Sequence, residues 1–249
     1  MLELHKVSVR YGKKEVLREV SVAVCPHRLT VLVGRNGSGK STLVSCVNQQ
    51  IPYTGRITAG ETNLAQLPPR ERAKMLAVLP QSMPSPHILV REMVAFGRNP
   101  YLDFTGRLTE RDRQMVVSAL ADASAGDLAD RYVDTLSGGE MQRVRLAMIL
   151  AQNTPLVLLD EPTAHMDQTH EGAFLNLLQH LKNEKQKTFL VVLHDLTLAA
   201  EYADDLIVLD GGKVIFSGTR EECLEKRILE STFGLKRYTV EDRIFFSAH

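Results

Sequence analysis

Leu29-Thr30-Val31-Leu32-Val33-Gly34-Arg35-Asn36-Gly37-Ser38-Gly39-Lys40-Ser41-Thr42 joins an apolar run to a glycine-rich turn and then to a helical stretch, Thr42–Gln49. Residues 29–33 are too apolar for a sheet edge, so they predict a strand covered on both faces. The turn fits GxxxxGK[ST] in the strand–loop–helix setting that the pattern requires. Its glycines let successive backbone N–H groups turn inward onto an anion, and the helix N-terminus adds its positive end. On this reading Gly34, Asn36, Gly37, Ser38, Gly39 and Thr42 shape a phosphate cradle. Lys40 neutralises β/γ-phosphate charge, and Ser41 places its hydroxyl on Mg²⁺. A glycine-rich turn with a chance lysine is the competing explanation; the flanking strand and helix weigh against it. Arg35 reads as a solvated loop side chain.

The chain around this loop alternates strands and helices. Leu4–Tyr11 mixes Leu4, Val7 and Val9 with polar residues, Gly12-Lys13-Lys14 reads as a turn, and Val20, Val22 and Val24 mark a second strand. Further buried strands are predicted at residues 156–159, 189–193, 206–209 and 214–216, with helical segments between several of them. Strands apolar on both faces and alternating with helices argue a mainly parallel sheet packed by helices, an α/β class. From about Ser85 to Val133 strand signals fade. Val90–Phe96 and Glu110–Ala121 predict helices, with Thr109 as an N-cap and Pro84, Pro86 and Pro100 punctuating the entry. The expected division is one domain over 1–249. Residues 1–84 and 134–218 form its α/β core with an N-terminal antiparallel β subdomain. Residues 85–133 are an inserted helical subdomain, and 219–249 a C-terminal extension with some strand character at its end.

Composition narrows the function classes. The chain has 249 residues, 44% of them hydrophobic, with 30 Lys and Arg against 30 Asp and Glu. Nucleic-acid binders carry a basic excess, so no nucleic-acid partner is expected. Zero net charge gives little protection against association, which suits a subunit of a complex. No apolar run approaches the roughly 18 residues of a membrane-spanning helix, and residues 1–6 lack the apolar stretch of a signal peptide. Cys25, Cys46 and Cys223 lie far apart and outside any CxxC, which fits a reduced compartment and implies no metal site.

Leu156-Val157-Leu158-Leu159-Asp160-Glu161 supplies a second piece of chemistry. Two carboxylates emerge at the end of a buried strand, where ligands bind in open α/β folds. Asp160 would hold the Mg²⁺ hydration shell and Glu161 would act as general base toward water. With the loop at 34–42, this describes a P-loop NTPase.

Leu136-Ser137-Gly138-Gly139-Glu140, followed by Gln142-Arg143, narrows the class. It resembles the LSGGQ signature of ABC ATPases, with Glu140 in the last place. Ser137, Gly138 and Gly139 open a helix expected at Glu140–Gln152 and make a second backbone anion cradle. One chain cannot close both cradles on one nucleotide. The resemblance implies two copies meeting head to tail, each signature capping the other's ATP. It further implies that Tyr11 stacks on adenine, although a strand residue facing the core is the competing reading. Gln81, in Val78-Leu79-Pro80-Gln81, matches the glutamine that touches Mg²⁺. Asp167, after Pro162-Thr163-Ala164-His165-Met166, matches the dimer-contact loop; Met166 stands where Leu is usual and His165 is bulkier than common occupants. His194, in Leu193-His194-Asp195, matches the switch histidine that senses γ-phosphate, with Asp195 a structural neighbour.

Finer similarity lies in Val94-Ala95-Phe96-Gly97-Arg98-Asn99-Pro100-Tyr101, Gly106-Arg107-Leu108-Thr109, residues 146–155 and residues 194–204. These segments resemble the ATPases of iron-chelate importers, which serve ferric siderophores, haem and vitamin B12, and most of all the ferric-siderophore branch. What the resemblance implies is an ATPase using MgATP at the cytoplasmic face of the inner membrane. Its partners would be a second copy, a membrane permease and, indirectly, an extracytoplasmic substrate-binding protein. The alternative is a soluble ABC ATPase without a permease, such as an iron–sulfur assembly ATPase.

Overall fold

The computed structural model describes residues 1–247 apart from Ser82, His165 and Asp242, and the backbone alone of Gln168. They form two compact units, Met1–Gln66 with Lys187–His249, and Leu67–Gln186.

The first unit opens with β1 (Leu2–Tyr11), β2 (Lys14–Val24), β3 (Leu29–Gly34), α1 (Lys40–Val47), β4 (Thr54–Ala59) and β5 (Thr62–Asn63). Four of these strands make an antiparallel sheet in the order β2-β1-β4-β5. Its buried face carries Leu2, Leu4, Val7 and Val9 from β1, and Leu17, Val20, Val22 and Val24 from β2. The spacing slips from two residues to three at Leu4/Val7 and at Leu17/Val20. Lys6 and Glu19, each at φ 47, absorb the extra residue there. The displaced amides are not left bare: Lys6 N–H donates to Ser21 Oγ and Glu19 N–H to Ser8 Oγ. The bulges explain why alternation in this stretch is broken while the strand continues.

The second unit holds α2 (Pro69–Met75), β6 (Leu76–Leu79), α3 (Val90–Ala95), α4 (Glu110–Asp122), α5 (Gly138–Ala151), β7 (Leu156–Asp160) and α6 (Gln168–Lys185). Strands β6 and β7 pair in parallel, Leu79 opposite Leu159. Helix α4 starts where expected, capped by the Thr109 side chain, which accepts from Asp112 N–H. Helices α3, α4 and α5 pack on one another, and α5 buries residues on nearly all its faces.

The segment Gly97-Arg98-Asn99-Pro100-Tyr101, singled out above only by resemblance, ties this helical cluster together. Arg98 is buried and donates from Nε to Asp112 Oδ1 at 2.9 Å and from Nη1 to the Ala151 carbonyl at 2.6 Å. Its guanidinium lies 3.9 Å from the centre of the Tyr101 ring. Gly97 lets this turn approach α5: a Cβ there would sit 2.1 Å from the Met148 carbonyl oxygen.

The chain then completes the first unit with β8 (Thr188–Val192), α7 (Leu196–Tyr202), β9 (Asp205–Asp210), β10 (Lys213–Thr219), α8 (Arg220–Glu225), α9 (Ile228–Phe233), β11 (Lys236–Val240) and β12 (Arg243–Ser247). Strand β3 is flanked in parallel by β8 and β9, and all six of its residues are buried. Strand β10 corrects an expectation. It pairs antiparallel with β9 as an edge strand, and Ile215 is 50% exposed rather than buried. Three apolar letters in a row, Val214-Ile215-Phe216, do not separate a buried strand from the edge arm of a hairpin. Strands β11 and β12 form a two-stranded hairpin, and β12 packs against α7.

Candidate functional site

In the first unit, β3 delivers its glycine-rich turn to the carboxyl edge of the parallel strands. Gly37 and Gly39 adopt φ 77 and φ 106, which a side chain would strain. Gly34 has no room for one: a Cβ would lie 2.3 Å from the Leu209 carbonyl oxygen and 2.5 Å from Ser38 Oγ. The Lys40 side chain is buried against the loop, with Nζ donating to the carbonyls of Gly34 at 2.8 Å and Arg35 at 3.3 Å. Ser38 N–H also donates to the Arg35 carbonyl, at 3.0 Å. Ser41 and Thr42 occupy the first turn of α1, with Ser41 exposed. Asn36 is exposed at the outer rim of the turn.

This loop fits a bound polyphosphate. Ser38 Oγ is buried and has no hydrogen-bond partner among the described residues, so an acceptor group entering the loop would satisfy it. The donor set is a lysine, a serine hydroxyl and backbone amides, the chemistry of phosphate recognition.

Strands β3 and β8 are paired in register, Leu32 opposite Val192, so the residues that follow them share one sheet edge. His194 follows β8 there and is exposed. Asp195 has the structural task expected of it, capping α7 by accepting from the N–H groups of Thr197 and Leu198. Tyr11 ends β1 with 53% of its surface exposed. That excludes the core-facing alternative.

In the second unit, the pairing of β6 with β7 brings Gln81 beside the carboxylates that end β7. Gln81 Nε2 donates to Glu161 Oε2 at 2.6 Å. Asp160 is buried. Glu161 sits at φ 52, in the left-handed region that non-glycine residues rarely adopt. Such strain concentrates where a side chain must be aimed.

Ser137 is the N-cap of α5; the carboxylate of Glu140, at the third helical position, accepts from Ser137 N–H at 2.8 Å while the Glu140 N–H donates to Ser137 Oγ. This reciprocal pair is a capping box, which accepts Glu or Gln alike at that position. The residue that departed from the LSGGQ pattern therefore does the work that a glutamine would. Arg131 Nη1 adds a 2.7 Å ion pair to Glu140. The Ser137 amide and hydroxyl, then Arg131, hold the Glu140 carboxyl below its ordinary range.

Asp167 is the N-cap of α6. It accepts from His170 N–H at 3.0 Å, and both its oxygens lie 2.8 Å from His170 Nδ1. These contacts hold the Asp167 carboxyl below its usual value, the backbone amide first. The His170 ring rests on the signature, 3.1 Å from where a Gly139 Cβ would stand. His165 lies outside the described residues.

Four residues escaped the sequence reading. Arg98 was visible only as a letter in a resemblance. His170 stands three residues after Asp167, a spacing that brings a helix N-cap and its partner together. Nothing local marks Arg131 as the partner of Glu140. Arg35 is exposed, as read, but its anchor was not legible: its Nη2 donates to the Thr232 carbonyl at 2.5 Å, a residue 197 positions away.

The family model described as ABC transporter matches residues 17–164. The petrobactin import ATP-binding protein FpuD of Bacillus anthracis is 34% identical over 246 residues, covering 98% of this chain and 90% of that protein. The hemin import ATP-binding protein HmuV of Pseudomonas aeruginosa is 41% identical over 243 residues, covering 95% of this chain and 93% of that one. Among solved structures, a nucleotide-free ATP-binding cassette from an ABC transporter superposes with a TM-score of 0.83 at 25% identity, over 92% of this chain and 95% of that chain. With that family match and these relatives over nearly the whole chain, the chain belongs to the ABC transporter family as an ATP-binding, ATP-hydrolysing subunit.

Proposed function

We propose that this subunit couples MgATP hydrolysis to uptake of an iron chelate, most specifically a ferric siderophore, through a separate membrane permease. The relatives named for petrobactin and hemin import support the cargo class. The hydrogen bond between Gln81 and Glu161 carries the mechanism, because it aims a strained carboxylate that ends a strand.

Each residue then has a task. Tyr11 stacks on adenine. The amides of residues 34–42 and the Lys40 ammonium bind the phosphates. Ser41, Gln81 and Asp160 would hold Mg²⁺, which when bound neutralises phosphate charge. Glu161 takes the proton of the attacking water, and His194, after β8, reads the γ-phosphate. Ser137, Gly138 and Gly139 cap the nucleotide of a second copy, and Asp167 lies at that contact. Closure of the two copies is a population shift driven by nucleotide, relayed through the inserted helices of residues 85–133 to the permease. The working location is the cytoplasmic face of the inner membrane, with a substrate-binding protein on the other side. The alternative of an ATPase without a permease is not favoured by the importer relatives.

The test is affinity capture of the tagged chain from detergent-solubilised membranes, with mass spectrometry of what comes with it. A polytopic permease of the iron-chelate type is the expected partner. Capture of a soluble scaffold, with no membrane protein, would overturn the importer reading and leave the ATPase chemistry standing.

A further inference from the structure

The segment after β10 has no part in the chemistry above, yet one of its carbonyls holds a residue of the phosphate loop. Helix α9 ends at Gly234, which takes φ 70. The last turn of a helix leaves carbonyls without intrahelical partners. Here the Thr232 carbonyl receives the Arg35 guanidinium at 2.5 Å.

Arg35 sits inside the phosphate loop, and its own carbonyl is the hub of that loop. It accepts from Ser38 N–H at 3.0 Å and from Lys40 Nζ at 3.3 Å. One residue thus faces both ways: its side chain is fastened outside to α9, and its backbone organises the cradle inside.

The fastening is itself braced. Arg237 of β11 donates from Nη1 to the Leu224 carbonyl of α8 at 2.9 Å, and its Nε lies 3.3 Å from Glu230 of α9. Strand β12, paired to β11, packs against α7, whose cap Asp195 adjoins His194.

We propose that residues 219–247 form a brace that sets the shape of the phosphate loop, with Arg35 as the positioning residue and Arg237 as the strut behind it. This rests on reading residues 34–42 as the ATP cradle. The path runs Arg237, Glu230, α9, the Thr232 carbonyl, the Arg35 side chain, the Arg35 carbonyl, Lys40. Arg35 acts through the loop and not on the nucleotide.

The experiment is steady-state ATP hydrolysis and thermal unfolding of the full chain and of the variants R35A, R35K, R237A and R35A/R237A, with K40A as control. A lost charged hydrogen bond at an exposed site predicts a rise in KM for ATP of about 3- to 10-fold in R35A, with kcat and the melting midpoint held. R35K recovers part of it, because an ammonium still reaches one carbonyl. R237A raises KM in the same direction, and the double variant goes no further than R35A, since both residues lie on one path. Unchanged KM in R35A, or independent effects that multiply in the double variant, would overturn the brace. So would a loss of kcat and melting temperature at unchanged KM, the mark of a merely structural contact. Normal hydrolysis by K40A would remove the cradle reading and the brace with it; inactive K40A with unchanged R35A removes the brace alone.

Discussion

In the proposed mechanism Glu161 is the side chain prepared for chemistry, and Gln81 aims it. The carboxylate is held at φ 52 by the end of β7, and the amide of Gln81 fixes one of its oxygens. A general base so placed contributes about 10²–10⁴-fold to rate. Glu161→Gln is therefore expected to slow steady-state ATP hydrolysis by about that factor while ATP still binds, as read by nucleotide titration. Hydrolysis at the full rate would remove the assignment. Arg98 and Asp112 show the opposite use of charge, for cohesion. Both side chains are nearly fully buried, at 6% and 7% exposure. Burial pushes the Asp112 carboxyl up, but hydrogen bonds from Thr109 and Arg98 outweigh it and leave it below its ordinary value. A carboxylate depressed in the folded state contributes its stability above the unfolded value of about 3.9, and loses it as pH falls through the folded value. Asp112→Asn should flatten the acid limb of stability below about pH 4 in urea unfolding series. Arg98→Ala, which strands a buried carboxylate, should cost about 3–5 kcal/mol at neutral pH.

At the scale of elements, the start and the end of α5 each depend on a specific local device. Its start is the Ser137–Glu140 capping box. Glu140→Gln keeps the box and loses only the Arg131 ion pair, so ATPase activity should stay within about two-fold of the parent. A collapse of activity in that variant would show that the negative charge itself is used. Its far end receives the turn at Gly97. Gly97→Ala drives a methyl group toward the Met148 carbonyl at 2.1 Å, and the repacking should cost about 1–3 kcal/mol in chemical denaturation. Hence the segment that resembled one importer branch has a structural explanation: Gly97 and Arg98 join the inserted helices to the helix carrying the signature. The start of α4 was legible from Thr109 alone, because an N-cap is a local event. Strand β6 was not, since four residues directly after a helix carry no turn punctuation and too few letters to show a period.

For the whole molecule, the decisive expectation concerns two copies. Gly138→Asp puts a carboxylate where a partner's γ-phosphate would sit, and like charges repel. In sedimentation experiments the Glu161→Gln chain should dimerise on addition of ATP, and the same chain carrying Gly138→Asp should stay monomeric with ATP still bound to it. An ordinary ATP-dependent dimer in the double variant would sink the shared-site arrangement. The zero net charge of the chain leaves no long-range repulsion to oppose such association.

Much of this protein was determined by short-range pattern. The strand–loop–helix of residues 29–47, the paired acids at Asp160 and Glu161 and the cap at Ser137 are contiguous, and contiguous residues meet whatever the rest of the chain does. The tertiary structure alone decided three other matters. It made β10 an edge strand, because pairing partners are chosen across the sheet and not along the chain. It left Tyr11 exposed at the end of β1, although Val7 and Val9, which share its place in the alternation, are buried, because the buried face of the strand stops at Val9. And it fastened Arg35 to Thr232, because a charged side chain goes to whichever acceptor the fold brings within reach, and no local signal names a carbonyl 197 residues away.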